Sequence, residues 1–129
     1  MKMSKFIVAI IAVILLSVPV AADGITGNEV MFDRAATEYD LDAATLAAIA
    51  ILESGWGRSE LAKNKYNLYG WTTDDGGWMS FEGWEDCVFH VAGAIQNRPH
   101  DTIMDIANWY HPHDPEIWAD AVEEIRGML

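Results

Sequence analysis

Residues 42–57 read D-A-A-T-L-A-A-I-A-I-L-E-S-G-W-G, and the rest of the chain is read outward from them. Asp42 is a good N-cap, and no breaker or charge interrupts the helical run from Ala43 to Leu52. Glu53 shares a face with Leu46, Ile49 and Ala50, at i−7, i−4 and i−3, so its carboxyl is expected among apolar side chains. Gly55 and Gly57 then supply the permissive backbone on which helices end. Burial disfavours the ionised carboxylate, and the negative end of the helix dipole lies in the same turn. Both effects raise the pKa of Glu53. A glutamic acid still protonated near neutral pH suits a general acid that protonates a leaving oxygen. The plainer alternative is a partly buried glutamate held by a backbone N–H or by Arg58.

On the N-terminal side, Asn28 can cap a helix reaching about Tyr39, with Val30, Met31, Ala35, Ala36 and Tyr39 on its apolar side. Asp40, Leu41 and Asp42 read as the turn between the two helices. On the C-terminal side, Ser59 caps a short helix through about Asn64. From Leu68 the pattern alternates, and L-Y-G-W-T-T (68–73), D-D-G-G (74–77) and W-M-S-F (78–81) read as a small β-hairpin with an Asp-Gly turn. A long helix is expected from about Glu85 to Gln96, apolar at Val88, Phe89, Val91, Ala92 and Ile95. Asn97, Arg98 and Pro99 break it, and Asp101 can cap a shorter helix containing Ile103, Met104, Ile106 and Ala107. Trp109 to Pro115 reads as a turn. Asp114 with Pro115 at the first helical position starts a last helix, burying Ile117 or Trp118, Ala121, Val122 and Ile125.

The chain has 129 residues, 51% of them apolar and 11% aromatic, enough for one domain with a sizeable core. Residues 1–22 combine a basic start, an apolar run from Phe6 to Leu16, and Val20 and Ala22 at −3 and −1 of a cleavage site. They are expected to be a secretory signal peptide, which leaves 23–129 as the functional domain. The chain carries a formal charge of −12; residues 1–22 contain Lys2 and Lys5 and no acids, so 23–129 carry −14. That balance argues against nucleic acid and anionic membrane surfaces as partners. The membrane is expected to be met only through the signal segment. One cysteine, Cys87, excludes an internal disulfide and reads as a buried small hydrophobe.

A general acid that protonates a leaving oxygen often works with a second carboxylate, and Glu53 supplies one. Asp75 and Asp74 at the expected hairpin tip, then Glu82, are candidates for the second. Six tryptophans offer flat apolar faces for sugar rings. Trp56 and Trp71, flanking the Glu53 motif, are the candidates for a groove wall, whereas Trp84 and Trp118 sit in helical core patterns. His111, His113 and Asp114 do not reach the spacing of a zinc site, so no metal is expected. There is no Gly-rich phosphate loop, and no cofactor is expected.

The run L-E-S-G-W-G-R-S-E-L-A (52–62) followed by Y-N-L-Y-G (66–70) resembles the glucosaminidase family of peptidoglycan-cutting glycoside hydrolases. That family's signature is similar to A-L-E-S-G-W-G-x-S-x-L-A and then N-N-L-F-G. The resemblance covers roughly Glu29 to Glu124 and implies a lysozyme-like α+β fold, mostly helical, with helices around a small β-hairpin lobe. It implies that Glu53 is the catalytic acid and carries the motif's Asn and aromatic over to Asn67 and Tyr69. The first Asn of that motif is Tyr66 here. W-Y-H-P-H-D-P (109–115) resembles the family's late Y-A-T-D-P with one extra residue, which makes Tyr110 a candidate active-site hydroxyl, with His111 competing for that place.

The expected protein is thus an exported hydrolase, secreted or held in the periplasm or cell envelope. It would act as a monomer on peptidoglycan glycan strands, at the β-1,4 bond between N-acetylglucosamine and N-acetylmuramic acid. Glu53, Tyr110 and Asp75 are its catalytic candidates, and Trp56, Asn67, Tyr69 and Trp71 line the sugar groove. A lytic transglycosylase on the same fold, or a non-catalytic glycan-binding or structural protein, is the alternative.

Overall fold

The computed structural model describes residues 25–129, and the expected signal peptide lies outside them. Six helices follow one another: α1 (Val30–Tyr39), α2 (Ala43–Ser54), α3 (Glu60–Asn64), α4 (Trp84–Gln96), α5 (Ile103–Tyr110) and α6 (Pro115–Met128). Helix α2 is the axis of the fold. The Asp42 carboxylate accepts from the Thr45 backbone N–H at 3.0 Å and closes its first turn. Leu46, Ala48, Ile49, Ala50, Ile51 and Leu52 are all buried, so the helix is enclosed on every side rather than along one stripe. Helices α1 and α6 pack directly against it, α4 packs on α1, and α5 on α6.

The chain leaves α2 through three consecutive left-handed residues, Gly55 (φ 59°), Trp56 (φ 62°) and Gly57 (φ 79°). Gly57 could not be replaced cheaply, because a Cβ there would lie 3.1 Å from the Trp84 ring and 3.2 Å from Ile25. Ser54 holds the exit, donating to Ala50 C=O at 2.6 Å and accepting from Gly57 N–H at 2.8 Å. Ser59 then caps α3 through the Ala62 N–H. At α5 the cap is Thr102, not Asp101: Thr102 and Asp105 form a reciprocal capping box, which fixes the helix start one residue later. Trp109 and Tyr110 belong to the end of α5, so the turn into α6 begins at His111. Pro115 opens α6 as expected, and Trp118, Ala121, Val122 and Ile125 are among the residues it buries.

The helical part of the expected architecture is present, but the β-hairpin is not formed. Among the described residues the β structure is a single antiparallel bridge, Thr72 to Trp78. The chain does reverse direction in that register: Thr73 N–H donates to Gly77 C=O at 2.8 Å and Met79 N–H to Trp71 C=O at 3.0 Å. The reason it goes no further is Asn67. Its Oδ1 accepts from Trp71 N–H at 2.9 Å, and its Nδ2 donates to Met79 C=O and Trp71 C=O, both at 2.8 Å. Trp71 N–H and Met79 C=O would otherwise form the second bond of the Trp71–Met79 pair. A buried side-chain amide therefore replaces that bond and converts a hairpin into a braced loop.

Cys87 is buried on α4, and burial pushes its thiol up to about 11, so it is an inert core residue. No helix among the described residues is long and apolar enough to cross a membrane.

Candidate active site

Glu53 occupies the last turn of α2, where the enclosing core sets its chemistry. Part of the residue remains exposed, yet both carboxyl oxygens are sealed from solvent and neither has a hydrogen-bond partner. Burial is the dominant influence and pushes its pKa up to about 8. The Trp118 indole acts in the opposite sense, but neither group completes a hydrogen bond of normal geometry, and Trp118 Nε1 is itself unpartnered. The ion pair with Arg58 weighed above is not formed. At neutral pH Glu53 is thus a protonated acid with no partner for its proton.

Beside it stands Tyr110. The ring stacks on Trp118 with centroids 5.0 Å apart, and its hydroxyl donates to Tyr69 C=O at 2.9 Å. Burial, and then the neighbouring Glu53 charge, hold that hydroxyl well above the usual tyrosine range, so it stays a donor. Tyr110 is also a wall of a cavity of about 350 Å³, lined further by Tyr69, Gly70, Trp71, Thr72, Thr73, Asp74, Arg98 and Trp109. Its size is that of a small-ligand site, and aromatic faces interspersed with hydroxyls, a carboxylate and a guanidinium suit a polar, ring-shaped molecule. Glu53 does not line this cavity, but it is close enough to Tyr110, which does, for its charge to act on the Tyr110 hydroxyl.

Residues 30–126 match the family model for glucosaminidases, described as mannosyl-glycoprotein endo-beta-N-acetylglucosaminidase. The chain belongs to the glucosaminidase family. The family is one of glycoside hydrolases, so a buried, protonated glutamic acid beside an aromatic cavity is in keeping with its chemistry. Two Streptococcus pneumoniae proteins, from different strains, carry the provisional name endo-beta-N-acetylglucosaminidase. Each is 38% identical to this chain over 66 residues, half of this chain. The matched segment spans 10% and 9% of those proteins, so most of their length has no counterpart here.

The glucosaminidase domain brings Tyr69, Trp71, Asp74 and Tyr110 to one cavity, with Glu53 near enough to act on Tyr110. Tyr69 contributes an edge of that wall while its hydroxyl is turned inward, donating to Leu46 C=O at 2.8 Å. Asn67 is buried and its amide is engaged with the backbone of the 71–79 loop. Trp56 lies apart from this cavity, with Ile25, Phe32, Ala47 and Ile51 around a second, more apolar one. Asp75 is drawn into its own turn, accepting from the Thr73 hydroxyl and from Gly77 N–H, and these bonds lower its pKa. Glu82 is exposed, its N–H bonded to Asp86.

Arg98 and Trp109 are among the cavity residues that escaped the sequence reading, with Gly70, Thr72 and Thr73. Trp109 resembled a turn residue, and Arg98 a helix breaker. The signal that could have found Trp109 is its place beside Tyr110, since successive residues at a helix end diverge enough to line two sides of one opening. His111 is buried and burial lowers its pKa; among the described residues no group of three His, Cys, Asp or Glu is arranged to hold a metal ion.

Proposed function

We propose that this glucosaminidase domain hydrolyses the β-1,4 bond between N-acetylglucosamine and N-acetylmuramic acid in peptidoglycan, after export, with Glu53 as general acid. The observation that carries the proposal is the Glu53 carboxyl, buried, unpartnered and shifted to about 8 at the end of α2, where its charge acts on the cavity residue Tyr110. Protonated Glu53 gives its proton to the glycosidic oxygen as the C1–O bond breaks. For that transfer the acid must reach the cavity, so substrate entry is coupled to a new Glu53 rotamer or to a shift of the 111–114 turn.

Burial dominates at Glu53, and no described carboxylate is among the groups that shift it. This favours capture of the developing charge at C1 by the sugar's own acetamido oxygen, followed by water, whose proton returns to Glu53. Asp74, on the cavity wall, is better placed than Asp75 to orient that water. The same one-acid arrangement also favours a second reading, a lytic transglycosylase, which would leave an anhydro sugar end.

The test is digestion of purified peptidoglycan by residues 23–129, wild type beside Glu53→Gln, with products analysed by mass and reducing end. New reducing N-acetylglucosamine ends from the wild type, and a rate about 10²–10⁴-fold lower in the variant, are expected. Anhydro ends would establish the transglycosylase. A folded wild type that releases nothing across pH and salt would overturn both in favour of a non-catalytic glycan-binding protein.

A further inference from the structure

The cations of this acidic protein are few, and they are not equivalent. Arg34 is paired with Glu85 at 2.6 Å and Arg126 with Asp42 at 2.8 Å. Lys65 reaches Ser80 at 3.4 Å. Like Arg58, Lys63 and Lys65, the exposed Arg98 forms no ion pair with a described carboxylate; what sets it apart is that it lines the aromatic cavity. Its guanidinium is held in place by Trp109, 4.9 Å from the ring centroid, and by one hydrogen bond from Nη1 to Ala94 C=O at 3.0 Å. Trp109 is fixed in turn by its indole N–H, which donates to Pro99 C=O at 2.9 Å. One of five N–H donors is engaged, and the rest remain for a ligand on a pre-oriented planar fork.

Resting on the glycan reading above, we propose that Arg98 is the residue that selects glycans bearing a carboxylate, by a charge-assisted hydrogen bond beside the ring that Trp71 and Trp109 flank. A domain with a formal charge of −14 over residues 23–129 repels anionic polymers at long range. An anionic strand therefore needs a local cation to be accepted, and within the cavity lining Arg98 is the one cation, with Asp74 as the opposing acid. The carboxylate has two sources in a wall strand: the lactyl group of the sugar itself, free when no peptide is attached, or the acidic stem peptide.

The test measures equilibrium binding, with Glu53→Gln as the background so that nothing is cut. Three ligands are compared: neutral N-acetylglucosamine oligomers, peptide-free wall strands with free lactyl carboxylates, and peptide-bearing strands. Adding Arg98→Gln is expected to weaken binding of a carboxylate-bearing ligand about 10-fold, to leave the neutral oligomers unchanged, and to be partly rescued by Arg98→Lys. Loss confined to peptide-free strands assigns the lactyl carboxylate, and loss confined to peptide-bearing strands assigns the stem. Equal loss on neutral and anionic ligands would overturn the proposal, because Arg98 would then only support Trp109. Wall digestion by the wild type together with affinities indifferent to Arg98 overturns this proposal alone, whereas absence of binding by all three ligands overturns the glycan reading with it.

Discussion

Glu53 concentrates the chemistry of this domain, and its proton is a property of both the folded state and the reaction. In the unfolded chain its carboxyl titrates near 4.5 and in the folded domain near 8. Below about pH 4.5 both states hold the proton and the group contributes no difference. Between the two values the unfolded chain releases a proton that the folded one retains, so stability falls as pH rises. The loss is complete above about pH 8 and amounts to a few kcal/mol, at about 1.4 kcal/mol per unit. Glu53→Gln removes this titration. The melting temperature of the variant relative to wild type is therefore expected to climb from pH 5 to 8; a difference independent of pH would show that the carboxyl is not held protonated. The rate follows the same proton: kcat/KM for wall digestion should decline as pH rises through about 8, because the ionised carboxylate has no proton to give. The expectation of a raised pKa was legible from the apolar stripe at Leu46, Ile49 and Ala50. The absence of any partner was not, because partners come from other elements.

At the scale of the element, the 65–81 loop shows how one side chain redirects a segment. The alternation from Leu68 to Phe81 and the Asp-Gly turn are hairpin signals, and the observed register keeps Thr73 opposite Gly77 and Trp71 opposite Met79. Asn67, four and twelve residues from the groups it binds, takes the place of the second bond of the Trp71–Met79 pair. Nothing local announces that, since the competing acceptor and donor are defined only once the loop has closed. Asn67→Ala is expected to destabilise the domain by about 2–4 kcal/mol, from three lost hydrogen bonds and backbone groups left unsatisfied. Chemical denaturation measures this. A cost below about 0.5 kcal/mol would mean that the loop rearranges into a ladder without the amide. The helices were easier to read: Asp42, Ser59 and Pro115 mark their starts through local hydrogen-bonding and φ constraints, which operate within a few residues.

For the whole molecule, charge and packing act over different ranges. The excess of acids lies mostly on the surface, and self-repulsion opposes the compact state. Raising salt from about 10 mM to 500 mM shortens the Debye length from about 30 Å to a few ångströms and should raise the melting temperature by several degrees. An unchanged or lowered value would show that local ion pairs such as Arg126–Asp42 outweigh the general repulsion. The candidate site is likewise a property of the whole: its cavity joins residues 69–74, Arg98 just past the end of α4, and Trp109 and Tyr110 at the end of α5.

Read alone, the chain determined the helix order, the central position of α2, the burial of Trp118 and Cys87, and the resemblance that rests on L-E-S-G-W-G. These follow from short-range rules, namely apolar periodicity, caps, and residue types confined to a short motif. Packing alone decided that Trp71 shares a cavity with Trp109 and Arg98 while Trp56 faces another, that Asn67 serves the backbone, and that Glu53 has no partner. The physical reason is common to all three. Which groups meet across the domain depends on how helices cross and loops close, and such contacts leave no periodic trace in a single sequence.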